Sequence, residues 1–254
     1  MLMLVAKHIS KKFAAYQALN DVSFEINKGD IVGFLGKNGA GKTTLMRILT
    51  TFITASSGSV LIDGEDITKH SLTVREKIGY LPEKPPLYGE MTVKSYLKFA
   101  AQIKGVSAKK ESFQVAKVLD DCGLTRVEKQ RISTLSKGYQ QRVGIAQAII
   151  HEPKLLILDE PTSGLDPIQI LQVLALIKNQ RDQRTVLLST HTLNEIEQVA
   201  QRVLMLKSGQ IVLDEPLDGL LKKKQLTQLH PVTLEQIFID YHQDTPSPQL
   251  STQG

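Results

Sequence analysis

Apolar residues follow two rhythms along this chain. Leu2 to Ile9 and Val22-Ser23-Phe24-Glu25-Ile26 read as strands, the second by strict alternation, and Asn27-Lys28-Gly29-Asp30 marks the turn that follows. Asp30 to Leu35 is a short apolar run with β-branched residues, which predicts a buried strand. Leu45, Ile48, Leu49 and Phe52 then fall on one helical face. Ser57-Gly58-Ser59 predicts a turn into a strand over Val60-Leu61-Ile62, and Asp63-Gly64 is a hairpin signal. Ile78 to Leu81 predicts a strand that stops at a loop, because Pro82, Pro85 and Pro86 cannot continue a helix or a central strand. From Thr92 to Cys122 the period changes: Val93, Tyr96, Leu97, Val115, Val118 and Leu119 recur at helical spacing among lysines, which predicts a mostly helical subdomain.

The second half alternates again. Leu155 to Leu158 is apolar throughout, as strands buried on both faces of a parallel sheet are, and it ends in Asp159-Glu160. Asp166-Pro167 is an N-cap followed by proline at the first helical position, and Ile170, Leu171, Leu174 and Ile177 supply a buried stripe. Thr185 to Ser189 predicts one more buried strand, followed by Thr190-His191, and Thr192 with Glu195 predicts a capping box for the next helix.

The chemistry centres on Gly36-Lys37-Asn38-Gly39-Ala40-Gly41-Lys42-Thr43-Thr44, which lies between the Asp30–Leu35 strand and the helix after it. Two glycines five apart, followed by Lys and a hydroxyl residue, form a phosphate-binding loop. Glycines let several backbone N–H groups approach one anion, and the helix that follows adds its own unpaired N–H groups and dipole. Lys42 brings a mobile positive charge to outer phosphates, and the Thr43 hydroxyl is a hard ligand suited to Mg²⁺.

Two carboxylates at the end of an apolar strand belong at the carboxyl edge of an open sheet, where ligands bind. Asp159 is therefore read as a Mg²⁺ ligand, directly or through water, and Glu160 as the base that takes a proton from attacking water. His191 reaches the same edge, where it is either structural or a hydrogen-bond partner of the terminal phosphate or the water. Ser136 and Gly138 precede the helical stretch Val143 to Ile150 and offer a second anion site, or only a cap. Phe13 and Tyr16 are expected on a loop, as a stacking surface for a base or as part of the local sheet.

Composition narrows the partners. The 254 residues, 41% of them hydrophobic, suffice for a full core with a subdomain attached. A net charge of +5 without a long basic arm argues against nucleic acid as the main ligand. Lys222-Lys223-Lys224 forms a run, either a solvated surface or a contact to an anionic membrane. Cys122 alone cannot form an internal disulfide, which fits a reducing compartment. The apolar start Met1–Ala6 is shorter than a signal-peptide core, and no window approaches the ~18 to 20 apolar residues that cross a bilayer.

Leu135-Ser136-Lys137-Gly138-Tyr139-Gln140 resembles the signature motif of ATP-binding cassette ATPases, with Leu-Ser-Lys-Gly-Tyr where Leu-Ser-Gly-Gly-Gln is commoner. The order of motifs is also similar: phosphate loop, signature, Asp-Glu strand, Ser163-Gly164-Leu165-Asp166 as the D-loop, and His191 as the switch histidine. Phe13 stands at the family's adenine-stacking position, and Glu83 where most members carry the Q-loop glutamine. Leu81 to Tyr88 and Val232 to Phe238 resemble the ABC-2 type exporter subunits.

The resemblance, which covers residues 1 to about 220, implies an α/β fold. Its P-loop NTPase core carries a mostly parallel sheet, preceded by an antiparallel β subdomain and interrupted by a helical subdomain at about 87–150. A helical extension at 221–244 and a disordered tail at 245–254 follow. It implies ATP and Mg²⁺ bound by Phe13, Gly36, Asn38, Gly39, Ala40, Gly41, Lys42, Thr43 and Thr44, with Ser136, Gly138 and Gln140 acting on the nucleotide of a second copy. The metal falls to Thr43, Asp159 and Glu83, and catalysis to Glu160, His191 and Lys42. The partners implied are a head-to-tail second copy and an integral membrane subunit that holds the chain at the inner face of the cell membrane. A soluble ATPase of the same family, an importer subunit and a nucleotide-binding regulator are the alternatives.

Overall fold

The computed structural model describes residues 1–181 and 183–220. Val232–Phe238, Lys222–Lys224 and the tail, each given a role above, lie outside the described residues.

The chain opens with a long antiparallel pair, β1 (Leu2–Phe13) and β2 (Tyr16–Asn27), which joins β4 (Ser57–Ile62) and β5 (Glu65–Asp66) in a four-stranded sheet of order β2-β1-β4-β5. Phe13 and Tyr16 are the last residue of β1 and the first of β2, paired across the hairpin rather than on a loop. Asp63 and Gly64 form the two-residue turn between Ile62 and Glu65, both with positive φ, as the sequence predicts. Ser57-Gly58-Ser59 is not the predicted turn but the start of β4. Gly58, at φ +92, sits where a Cβ would meet the Lys7 and His8 carbonyls, at an irregularity in the β1–β4 pairing.

The second sheet has six strands in the order β10-β9-β3-β8-β7-β6: β3 (Ile31–Leu35), β6 (Ile78–Leu81), β7 (Leu155–Asp159), β8 (Thr185–Thr190), β9 (Arg202–Lys207) and β10 (Gln210–Pro216). β6, β7, β8, β3 and β9 are parallel, and only β10 runs antiparallel at the edge. The fold is therefore α/β, with a mostly parallel sheet beside an antiparallel one. β9 and β10 lie beyond the elements read from the sequence pattern.

Successive side chains of these strands alternate between two cores. Leu35, Leu81, Leu156, Leu158, Val186 and Leu188 face one cluster, shared with α3 (Val93–Ile103), α4 (Ala108–Asp121), α5 (Lys137–Ile149), α6 (Pro167–Lys178) and α7 (Leu193–Val199). Val32, Phe34, Leu155, Ile157 and Leu187 face the other, shared with α1 (Lys42–Leu49), α2 (Ser71–Glu76) and the antiparallel sheet. Every residue of β3, β7 and β8 is buried, which is why Leu155–Leu158 and Val186–Leu188 carry no polar alternation.

Two predicted faces are corrected. Phe52 lies past the end of α1 and is 74% exposed, and Leu171 is 57% exposed because α6 turns Val173, Leu174, Leu176 and Ile177 inward. The Asp166 cap is formed, its carboxylate accepting the Gln169 N–H at 2.9 Å.

Candidate active site

The parallel register brings four strand ends to one rim. Leu35 pairs with Thr190, Ser189 with Asp159, and Leu158 with Leu81, so the loops after β3, β8, β7 and β6 leave the sheet side by side. This is the carboxyl edge at which open α/β sheets bind ligands. A cleft of about 430 Å³ opens there, lined by Lys37, Asn38, Gly39, Gly41, Lys42, Thr43, Thr44, Glu83, Glu160, Ser163 and His191, with Tyr16 and Ala18 reaching in from β2.

The loop after β3 turns into α1 at Gly41, whose φ of 109 favours glycine, and a Cβ there would meet the Ala18 carbonyl at 2.6 Å. Lys42 is buried at 5% exposure. Its ammonium donates to the Gly36 carbonyl at 2.6 Å and lies 3.3 Å from Glu160 Oε1. Gly36 thus enters through its carbonyl. Ala40 turns into the second core and ties the loop to the β9–β10 turn by accepting the Gly209 N–H at 3.0 Å.

The two carboxylates have separate surroundings. Ser189 Oγ donates to Asp159 Oδ1 at 2.6 Å and Thr43 Oγ1 donates to the same atom at 3.4 Å. Burial pushes the Asp159 carboxyl up, those two hydroxyls oppose the shift, and the charges of Glu160 and Glu83 add to it. Glu160 stands at φ 49, a conformation uncommon outside glycine, with its N–H donating to the Ser189 hydroxyl and carbonyl, each at 3.1 Å. Its Oε2 lies 2.7 Å from His191 Nδ1, so one carboxylate bridges the loop lysine and the histidine.

The donor set fits a hard divalent cation. Thr43 and Asp159 put a hydroxyl and a carboxylate on one point, and the buried carboxylate gains from a positive neighbour. Among the described residues no group of three or more His, Cys, Asp and Glu could hold a metal ion by itself. Mg²⁺ is usually held by one or two carboxylates together with phosphate oxygens and water, and Thr43 and Asp159 offer donors of that kind.

Not every expected residue joins this cleft. Phe13 is absent from its lining and carries Lys11 over its ring at 5.0 Å, while Tyr16 lines it and donates to the Gly39 carbonyl at 3.3 Å. Ser136 caps α5 through the Tyr139 N–H, Gly138 packs against the Gln169 side chain, and Gln140 donates to the Ile132 and Leu135 carbonyls. None of these three lines the cleft. The predicted capping box is also replaced: Thr192 makes no side-chain cap bond, and Glu195 Oε2 accepts the hydroxyls of Thr162 at 2.7 Å and Thr190 at 2.8 Å. Sequence reading missed Ser189 and Glu195; two hydroxyl residues at the end of a fully buried strand were the available signal, since buried polar atoms need partners.

A family model described as ABC transporter matches residues 19–163, more than half of the chain. The chain belongs to the ABC transporter family. This ABC transporter chain is 35% identical over 244 residues to the uncharacterized ABC transporter ATP-binding protein YxlF of Bacillus subtilis, covering 96% of this chain and 81% of that one. It is 37% identical over 219 residues to the bacitracin transport ATP-binding protein BcrA of Bacillus licheniformis, covering 85% and 71%. Among solved structures, the ATP-binding subunit of an ABC transporter superposes with a TM-score of 0.83 at 30% identity, covering 94% and 99%. A dimeric ATP-binding cassette in a post-hydrolysis state with ADP and Pi superposes with a TM-score of 0.76 at 27% identity, covering 85% and 99%. The ABC chain is accordingly an ATP-binding subunit and an ATPase. Among the described residues no helix is long and apolar enough to cross a membrane.

Proposed function

We propose that this chain is the ATPase subunit of an exporter, that two copies close head to tail on ATP, and that their closure and reopening move a separate integral membrane subunit. The chain then works at the inner face of the membrane, held by that subunit. The observation that carries the reading is the meeting of Lys42, Glu160 and His191 around one carboxylate at the sheet rim, beside Thr43 and Asp159.

Phosphoryl transfer needs positioned charge in a closed site more than covalent chemistry. The loop N–H groups and Lys42 hold the β- and γ-phosphates, and Tyr16 or Phe13 stacks on the base. Glu160 takes the proton from the attacking water, and His191 orients Glu160. Mg²⁺, when bound by Thr43 and Asp159 with Glu83 nearby, supplies charge neutralisation across the phosphate oxygens. Ser136, Gly138 and Gln140 stand apart from the cleft of their own chain, which supports an action on the nucleotide of the second copy. Transport is supported by BcrA, named for bacitracin transport, and the export direction by the resemblance of the loop Leu81–Tyr88 to the ABC-2 type exporter subunits.

The test uses the full chain. Glu160→Gln should retain ATP binding, lose phosphate release by about 10²- to 10⁴-fold, and form an ATP-dependent dimer in light scattering. Ser136→Arg on that background should remain monomeric. A dimer that survives Ser136→Arg overturns the head-to-tail arrangement, and unchanged hydrolysis by Glu160→Gln overturns the assigned base. Purification from detergent-solubilised membranes without a polytopic partner contradicts the transport coupling.

A further inference from the structure

We propose that Glu195 is a positioning residue for ATP hydrolysis, a single buried acceptor that locks the segment carrying Glu160 to the segment carrying His191. This rests on the roles given above to Glu160 and His191. Its evidence is a separate set of contacts that neither of those residues makes.

Glu195 lies in the first turn of α7 but does not serve that helix as a cap. It is 5% exposed, and one of its oxygens, Oε2, accepts two hydroxyl protons. One comes from Thr162, two residues after Glu160, and the other from Thr190, the residue before His191. Both threonines are themselves buried, at 4% and 0% exposure. Thr190 Oγ1 also accepts the Thr192 N–H at 3.0 Å, so the turn around His191 closes on the same point. Among the described residues no cation forms an ion pair with Glu195, so what it holds is the two hydroxyls.

The helix that carries Glu195 is itself seated by packing. Ile196, the next residue, is fully buried against Gly33 of β3, where an added Cβ would collide with its Cδ1. The carboxylate is therefore delivered from a helix anchored on the central sheet to the exits of β7 and β8. Those two exits must keep the 2.7 Å contact between Glu160 Oε2 and His191 Nδ1. Removing the acceptor leaves two buried hydroxyl protons without their acceptor and frees both segments to shift. A displacement of about 1 Å at a reacting group costs on the order of 10²-fold in rate.

Chemistry also makes a sharp distinction among substitutions. What Glu195 supplies is an acceptor oxygen and not a charge, so Glu195→Gln keeps it and Glu195→Leu, of similar volume, does not. With the purified full chain, phosphate release over a range of ATP concentrations should give Glu195→Leu a kcat lower by about 10- to 100-fold with KM for ATP within about threefold of wild type. Glu195→Gln should recover most of that loss. Thr162→Val, which deletes one hydroxyl at constant shape, should lower kcat in the same direction and add nothing further to Glu195→Leu. A general structural role predicts instead that Leu and Gln fall together, or that KM and kcat worsen with the melting temperature. Either result overturns the proposal, as does wild-type kcat in Glu195→Leu. If Glu195→Leu does not fold, Thr162→Val with unchanged kcat is the overturning result. Glu160→Gln measured in parallel separates the two readings: wild-type turnover there removes the assigned base, whatever the Leu-to-Gln contrast at position 195.

Discussion

Lys42 Nζ lies 3.3 Å from Glu160 Oε1, although 118 positions separate the two residues in the chain (160 − 42). The loop lysine proposed to hold phosphates and the strand-end carboxylate proposed to prime water therefore line one cleft of about 430 Å³. Had they stood on opposite faces of the sheet, no single triphosphate would meet both.

Lys42→Ala tests the phosphate half of that pair. It removes the ammonium that bridges the Gly36 carbonyl and Glu160, so nucleotide affinity should fall by about tenfold or more, the loss of one charge-assisted contact of roughly 1.5–3 kcal/mol. Calorimetric titration with ATP checks it, and normal affinity counts against the loop assignment.

His191→Ala tests the other side of Glu160. Without the 2.7 Å partner the carboxylate keeps its place on the backbone but loses its orientation. Turnover should fall by about 10²-fold with ATP binding nearly unchanged. Equal losses in binding and turnover would show that His191 serves affinity instead.

Asp63→Asn probes stability away from the cleft. Asp63 receives Lys154 at 2.7 Å, Lys28 at 2.6 Å and Lys77 at 3.3 Å, and these ammonium groups, Lys154 foremost, hold its carboxyl far below the ordinary value of 3.8. Asn keeps the turn conformation but not the charge. A depressed folded-state pKa gives stabilisation that is present above the ordinary carboxylate range and is lost as pH falls through it toward the folded value. The variant should be about 1–3 kcal/mol less stable at neutral pH. The two melting curves should converge as pH drops below 3.8. A constant gap across that window would exclude the charge as its cause.

Cys122 follows α4 at 1% exposure in the first core, where burial pushes its thiol well above the usual range. The thiolate is the reactive form. Thiol titration should show no rapid reaction in the folded chain and one equivalent after denaturation; rapid reaction of the native protein would contradict this.

The phosphate loop, the apolar strands and the Asp-Glu terminus were legible along the chain because each depends on local physics: glycine freedom, strand-face alternation, and the cost of burying unpaired carboxylates. The Asp63-Gly64 turn and the Asp166 cap were legible for the same reason, since short-range hydrogen bonds and φ preferences settle them. Which side of a helix is covered depends on a distant neighbour, so Phe52 and Leu171 proved exposed. The hairpin pairing that puts Phe13 opposite Tyr16 also left only Tyr16 on the cleft.

The decisive step was the strand order. By itself the sequence determined that a phosphate loop, a carboxylate pair and a histidine each follow a buried strand. Only the tertiary structure placed β8 between β3 and β7, setting His191 against Glu160 and turning Glu195 from a helix cap into the acceptor between them. Strand order is a matter of pairing between segments far apart in the chain, and no local periodicity carries that information.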